Sequence, residues 1–137
     1  MITKFKLFEN NNYQSLIKRI QSVLTPDLLK GIWAKQFENP MAGHCYVATE
    51  ALYWILGGPD GDFVPYVLSH KTFPEGLDEG ETHWFLKNKK TGEILDPTAE
   101  QFEGVPILYD KGISNGMMSY PKGGSKRAKE IIKRINL

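Results

Sequence analysis

Three side chains in this sequence have the types that thiol chemistry requires. Cys45, the one cysteine in the chain, lies in the stretch GHCYVATEALYWILGG (43–58). His83 opens HWFLKN, and Asp96 lies in EILDPT. A free thiol has a pKa of about 8.5 and is mostly protonated at neutral pH, whereas a helix N-terminus and a nearby imidazolium both favour the thiolate. A carboxylate on the far side of the imidazole fixes its tautomer and stabilises its charged form. A nucleophile, a base and an orienting acid are therefore available, provided the fold brings them together.

The thiol depends on a helix. From His44 to Leu56 the residues Val47, Ala48, Ala51, Leu52 and Ile55 fall on one face, and Gly57-Gly58 provides a stop, which puts Cys45 in the first turn. Two helices are expected before it. Tyr13, Leu16, Ile17, Ile20, Val23 and Leu24 form an apolar stripe over 11–24. Thr25-Pro26 then reads as an N-cap and first helical residue, predicting a second helix through DLLKGIWAKQF (27–37), weakened by Gly31.

Beyond Pro59 the pattern changes to strands and turns. FVPYVLSH (63–70) is a β-type run in which Pro65 predicts an edge position or a bulge. TFPEGLDEGET reads as an exposed acidic loop, and PILY (106–109) as a candidate strand. A last helix is capped by Ser125 and carries the stripe Ala128, Ile131, Ile132 and Ile135. Helices followed by an antiparallel sheet predict an α+β fold, and 137 residues predict one domain spanning 1–137.

The histidine and the acid depend on a hairpin. HWFLKN, NKKTGE and EILDPT read as strand, turn and strand, with Gly92 free to take the positive φ of a tight turn. An even-numbered loop, for instance one in which Asn88 faces Glu93, places Phe85 opposite Asp96 and His83 on the same face as Asp96. Diagonal neighbours across such a pair are about 7–8 Å apart at Cα, within reach of an imidazole–carboxylate hydrogen bond. An odd loop separates them.

The order of these pieces resembles the transglutaminase-like branch of papain-like cysteine enzymes. GHCYVATEAL (43–52), HWFL (83–86) and LDPT (95–98) carry the resemblance. It implies a papain/transglutaminase-like core in which the Cys-bearing helix packs on the sheet, with Cys45 as nucleophile, His83 as general base and acid, and Asp96 orienting His83. The chain departs from many relatives in being shorter and in having His44 before the cysteine, where they show a GQCW-like approach.

The backbone N–H of Cys45, unpaired in a first helical turn, is a candidate oxyanion donor, with Asn39 or Gln36 as side-chain partner. His44 and Trp84 are further cleft candidates, although consecutive helical residues diverge by roughly 100° and aromatic side chains more often fill cores. His70 reads as a surface residue.

The expected reaction is cysteine-dependent hydrolysis or acyl transfer, of protease, deamidase or transglutaminase type, at an amide or isopeptide bond. Its substrate would be a protein, a peptide or a small amide. A non-catalytic binding module of the same fold is the alternative. A nucleic-acid accessory role for the basic stretch from Lys122 to Arg134 is a third, set against a formal net charge of only +1. No cofactor is expected: zinc-type spacings and phosphate-binding glycine motifs are absent from the sequence. No stretch approaches the roughly 20 apolar residues of a membrane helix, and the lone cysteine suggests no oxidising compartment, so a cytoplasmic location and no membrane partner are expected.

Overall fold

The computed structural model describes residues 11–28, 44–102 and 104–136. Among the described residues three α-helices, α1 (Asn11–Ser22), α2 (Cys45–Ile55) and α3 (Lys126–Ile135), accompany four strands, β1 (Phe63–Ser69), β2 (Thr82–Asn88), β3 (Ile94–Leu95) and β4 (Ile113–Ser114). The strands form one antiparallel sheet in the order β3-β2-β1-β4. The fold is α+β. Thr25-Pro26 opens a single 3-10 turn, Pro26–Leu28, and the rest of the expected second helix lies outside the described residues.

α2 is the hub. It was expected to bury one stripe, yet Cys45, Val47, Ala48, Thr49, Glu50, Ala51, Leu52 and Tyr53 are all buried, while Ile55 is only partly so. Surrounded by α1, α3 and the sheet, such a helix has no polar face to display. Leu56 closes it and Gly57, at φ 113°, makes the left-handed exit that a side chain would strain. α1 contributes Tyr13, Leu16, Ile17 and Ile20 to this core, and α3 contributes Ala128, Ile131 and Ile135.

The sheet divides two apolar layers. Trp84, Leu86 and Leu95 face the helices, while Phe85 and Leu68 join Phe73 and Leu77 on the other side, closed by Phe102, Val105, Ile107 and Tyr109. β1 is not an edge strand, since β2 and β4 flank it. Pro65 is tolerated because its carbonyl, and hence its missing donor, points towards the two-residue β4, where it accepts from Asn115 N at 2.9 Å. PILY forms no strand. Its last residue opens a 3-10 turn, Tyr109–Lys111, and β4 comes after Gly112, from two exposed residues. Among the described residues no helix is long and apolar enough to cross a membrane.

The basic C-terminal segment is tied inward. Arg127 donates to the Leu28 carbonyl at 2.7 Å, and Arg134 to the Val23 carbonyl at 3.0 Å and to Asp27 at 2.8 Å. α2 and α3 are further joined by Glu50. This carboxylate, 1% exposed, accepts from Ser125 N at 2.8 Å and from Ser125 Oγ at 2.7 Å, at the helix end where negative charge is favoured. Glu50→Ala should therefore lower stability by about 2–3 kcal/mol in chemical denaturation, because two donors lose a charged acceptor. A change within about 0.5 kcal/mol, the range of a neutral surface substitution, would show that the link is not stabilising.

Candidate active site

The hairpin sets the site. Leu86 pairs with Leu95 and Lys87 with Ile94, and Asn88 N donates to Glu93 O at 2.8 Å, so the loop has four residues. Asn88 Oδ1 accepts from the backbone of Lys90 and Thr91, and Gly92 takes φ 79°. This even register brings His83 and Asp96 to one face, where His83 Nε2 donates to Asp96 Oδ2 at 2.7 Å.

Asp96 sits just past β3, its carboxylate filled with donors. Oδ1 accepts from Thr98 N at 3.2 Å, and Oδ2 accepts from the Tyr109 hydroxyl at 2.8 Å as well as from His83. Burial, the charge of Asp96 and the hydrogen bond to it push the Tyr109 hydroxyl far above its ordinary value, so Tyr109 remains a donor. His83 is fully buried, with Phe102 edge-on at 4.5 Å between ring centroids and Phe85 stacked at 6.4 Å. Phe85 in turn needs Gly112: a Cβ there would lie 2.6 Å from its ring.

Cys45 occupies the first position of α2, after His44. Its thiol is directed to the start of β2, donating to Thr82 O at 3.6 Å, and it interacts with the neighbouring His83. Burial opposes charge on His83. That effect is outweighed by the hydrogen bonds and charges of Asp96 and Cys45, which raise its pKa from 6.5 to about 9. The arrangement can therefore hold an imidazolium beside Cys45, backed by a carboxylate.

Not every candidate joins this cluster. His44 is buried and donates through Nε2 to the Thr25 carbonyl at 2.9 Å, with no partner for Nδ1 among the described residues. Trp84 lies on the opposite face of β2 from His83, edge-on to Tyr46 at 4.9 Å in the helix-facing core. Asn39 and Gln36 lie outside the described residues. His70, expected at the surface, is partly buried and bonds the Leu77 carbonyl at 2.6 Å, closing the acidic loop. Among the described residues no cluster of three or more His, Cys, Asp or Glu is arranged to hold a metal ion.

Two participants escaped sequence reasoning. Gln101, on the 3-10 turn Ala99–Phe102, donates from Nε2 to His83 Nδ1 at 3.0 Å. No spacing rule signals it. Tyr109 offered a weak signal, since a tyrosine in an apolar run needs a partner for its hydroxyl when buried. No family model, curated protein or solved structure matches the chain.

Because folding raises the His83 pKa from 6.5 to about 9, its proton stabilises the native state fully below 6.5, and that contribution disappears as the pH rises through 9. It is worth at most roughly 3 kcal/mol. Denaturation at pH 6 and pH 9.5 should show a larger loss of stability in the native protein than in His83→Gln, and equal losses would contradict a proton held on His83. In Cys45→Ala, the NMR titration midpoint of His83 should fall, because two of the interactions raising it are gone.

Proposed function

We propose that the protein is a cysteine-dependent hydrolase or acyl-transfer enzyme acting on an amide, peptide or isopeptide bond. The observation that carries this reading is the His83–Asp96 hydrogen bond beside Cys45, which sits at a helix N-terminus with its thiol on the Thr82 carbonyl, one residue before His83.

In the proposed cycle the Cys45 thiolate attacks the carbonyl carbon, forming a C–S bond as the carbonyl π electrons move onto oxygen. The Cys45 backbone N–H, which lacks an intrahelical acceptor in the first turn, is a donor for that oxyanion. Collapse breaks the C–N bond while the His83 imidazolium protonates the departing nitrogen, leaving a thioester and neutral His83. Water or a second amine then attacks the thioester. His83 takes the attacking group's proton, the C–S bond breaks, and the thiolate–imidazolium pair returns. Hydrolysis makes the enzyme a protease or deamidase, whereas aminolysis makes it a crosslinker. Throughout, Asp96 holds the Nε2 side of the ring and offsets its charge.

A second reading, a binding module that keeps the fold without turnover, draws support from the near-complete burial of the thiol and from Gln101 seated on the ring nitrogen that must serve Cys45. Thiol reactivity separates the two. Alkylation of Cys45 by iodoacetamide should stay fast well below pH 8 in the native protein. It should slow by at least about tenfold at pH 6 in His83→Ala, with a smaller loss in Asp96→Asn. A rate that follows an ordinary thiol, indifferent to His83, would overturn the enzymatic reading.

A further inference from the structure

The imidazole of His83 is contested at one nitrogen. Nε2 is committed to Asp96, so the proton that leaves Cys45 can go only to Nδ1. Yet Nδ1 already accepts a hydrogen bond from Gln101 Nε2 at 3.0 Å. An amide NH2 is a donor only, and a nitrogen that accepts from it carries no proton. In this orientation the amide favours the neutral Nε2–H tautomer, and so opposes the interactions with Asp96 and Cys45 that favour the imidazolium.

Proton transfer to Nδ1 turns that contact into two facing donors. The amide must then rotate to present its oxygen, or leave. Gln101 has freedom to do either, since it is only half-buried and sits on a one-turn helix. Phe102, the next residue, anchors the turn against His83 at 4.5 Å and against Phe73 at 5.4 Å, which keeps the amide near the ring.

We propose that Gln101 is a positioning residue that opposes charging of the dyad, by occupying the Nδ1 of His83 that must receive the Cys45 proton, and that its withdrawal favours formation of the thiolate. The proposal rests on the enzymatic reading above and adds to it the step by which the nucleophile is released. No group beyond the three side chains is involved: one proton moves from sulfur to Nδ1, and one hydrogen bond to Nδ1 is lost.

The test is the pH profile of Cys45 alkylation by iodoacetamide in four proteins: native, Gln101→Met, His83→Ala and the double variant. Methionine retains the length of the side chain without the donor. Removing one hydrogen bond to the neutral form should shift the profile of Gln101→Met to lower pH and raise the rate at pH 6 by about 3- to 10-fold, with the high-pH plateau unchanged. In the His83→Ala background the same substitution should have no effect. A uniform rise at every pH, plateau included, would mean that the turn merely shields the sulfur and would overturn the proposal. So would an unchanged or slower rate at pH 6 in a protein whose alkylation still depends on His83. If alkylation is indifferent to His83 from the start, the enzymatic reading itself fails, and that failure is read from the native and His83→Ala pair alone.

Discussion

The hydrogen bond from His83 to Asp96 is the constraint on which the site depends. An imidazole at 0% exposure gives up its hydration entirely, and the carboxylate 2.7 Å away is what makes a charged ring tolerable there. Their meeting requires the β2–β3 loop to have four residues, and four residues with this twist require Gly92 at positive φ and Asn88 bonding the backbone ahead of it. One residue more or fewer would turn either His83 or Asp96 to the opposite layer. The aromatic wall of Phe85 and Phe102 then excludes water and strengthens every electrostatic interaction inside.

What the sequence disclosed follows from periodicity. Alternation along HWFLKN and EILDPT put His83 and Asp96 on one face because a period of two leaves only two choices, and the hydrogen-bonded turn at Asn88 settled the loop length. Apolar spacing with Gly57-Gly58 located α2 and hence Cys45 at its start. The same spacing understated the helix, since a stripe cannot reveal that α1 and α3 cover the remaining sides.

The residues missed have a common cause. Gln101 and Tyr109 reach the ring and its carboxylate from separate 3-10 turns, elements too short to impose a pattern. β4 is two exposed residues, so it has no alternation to read, and Pro65 signalled an edge or a bulge where the real device is a neighbouring strand short enough to spare its missing donor. Local rules identify elements that bury a face; they do not register side chains delivered singly by loops.

Cys45 and His83 are held by different cores. Cys45 belongs to the helical layer, tied to α3 through Glu50, whereas His83 belongs to the opposite layer with Phe85 and Phe102. They meet where β2 begins, at the Thr82 carbonyl that accepts from the thiol. Two neutral donors act on the His83–Asp96 unit from the loop side. Tyr109 shares Oδ2 of Asp96 with His83 and so draws on the charge that favours the imidazolium, while Gln101 donates to Nδ1 and favours the neutral ring. Asp96 and Cys45 pull the other way. Both donors come from short turns, so a change at either acts on the ring or its carboxylate without involving the helix or the sheet.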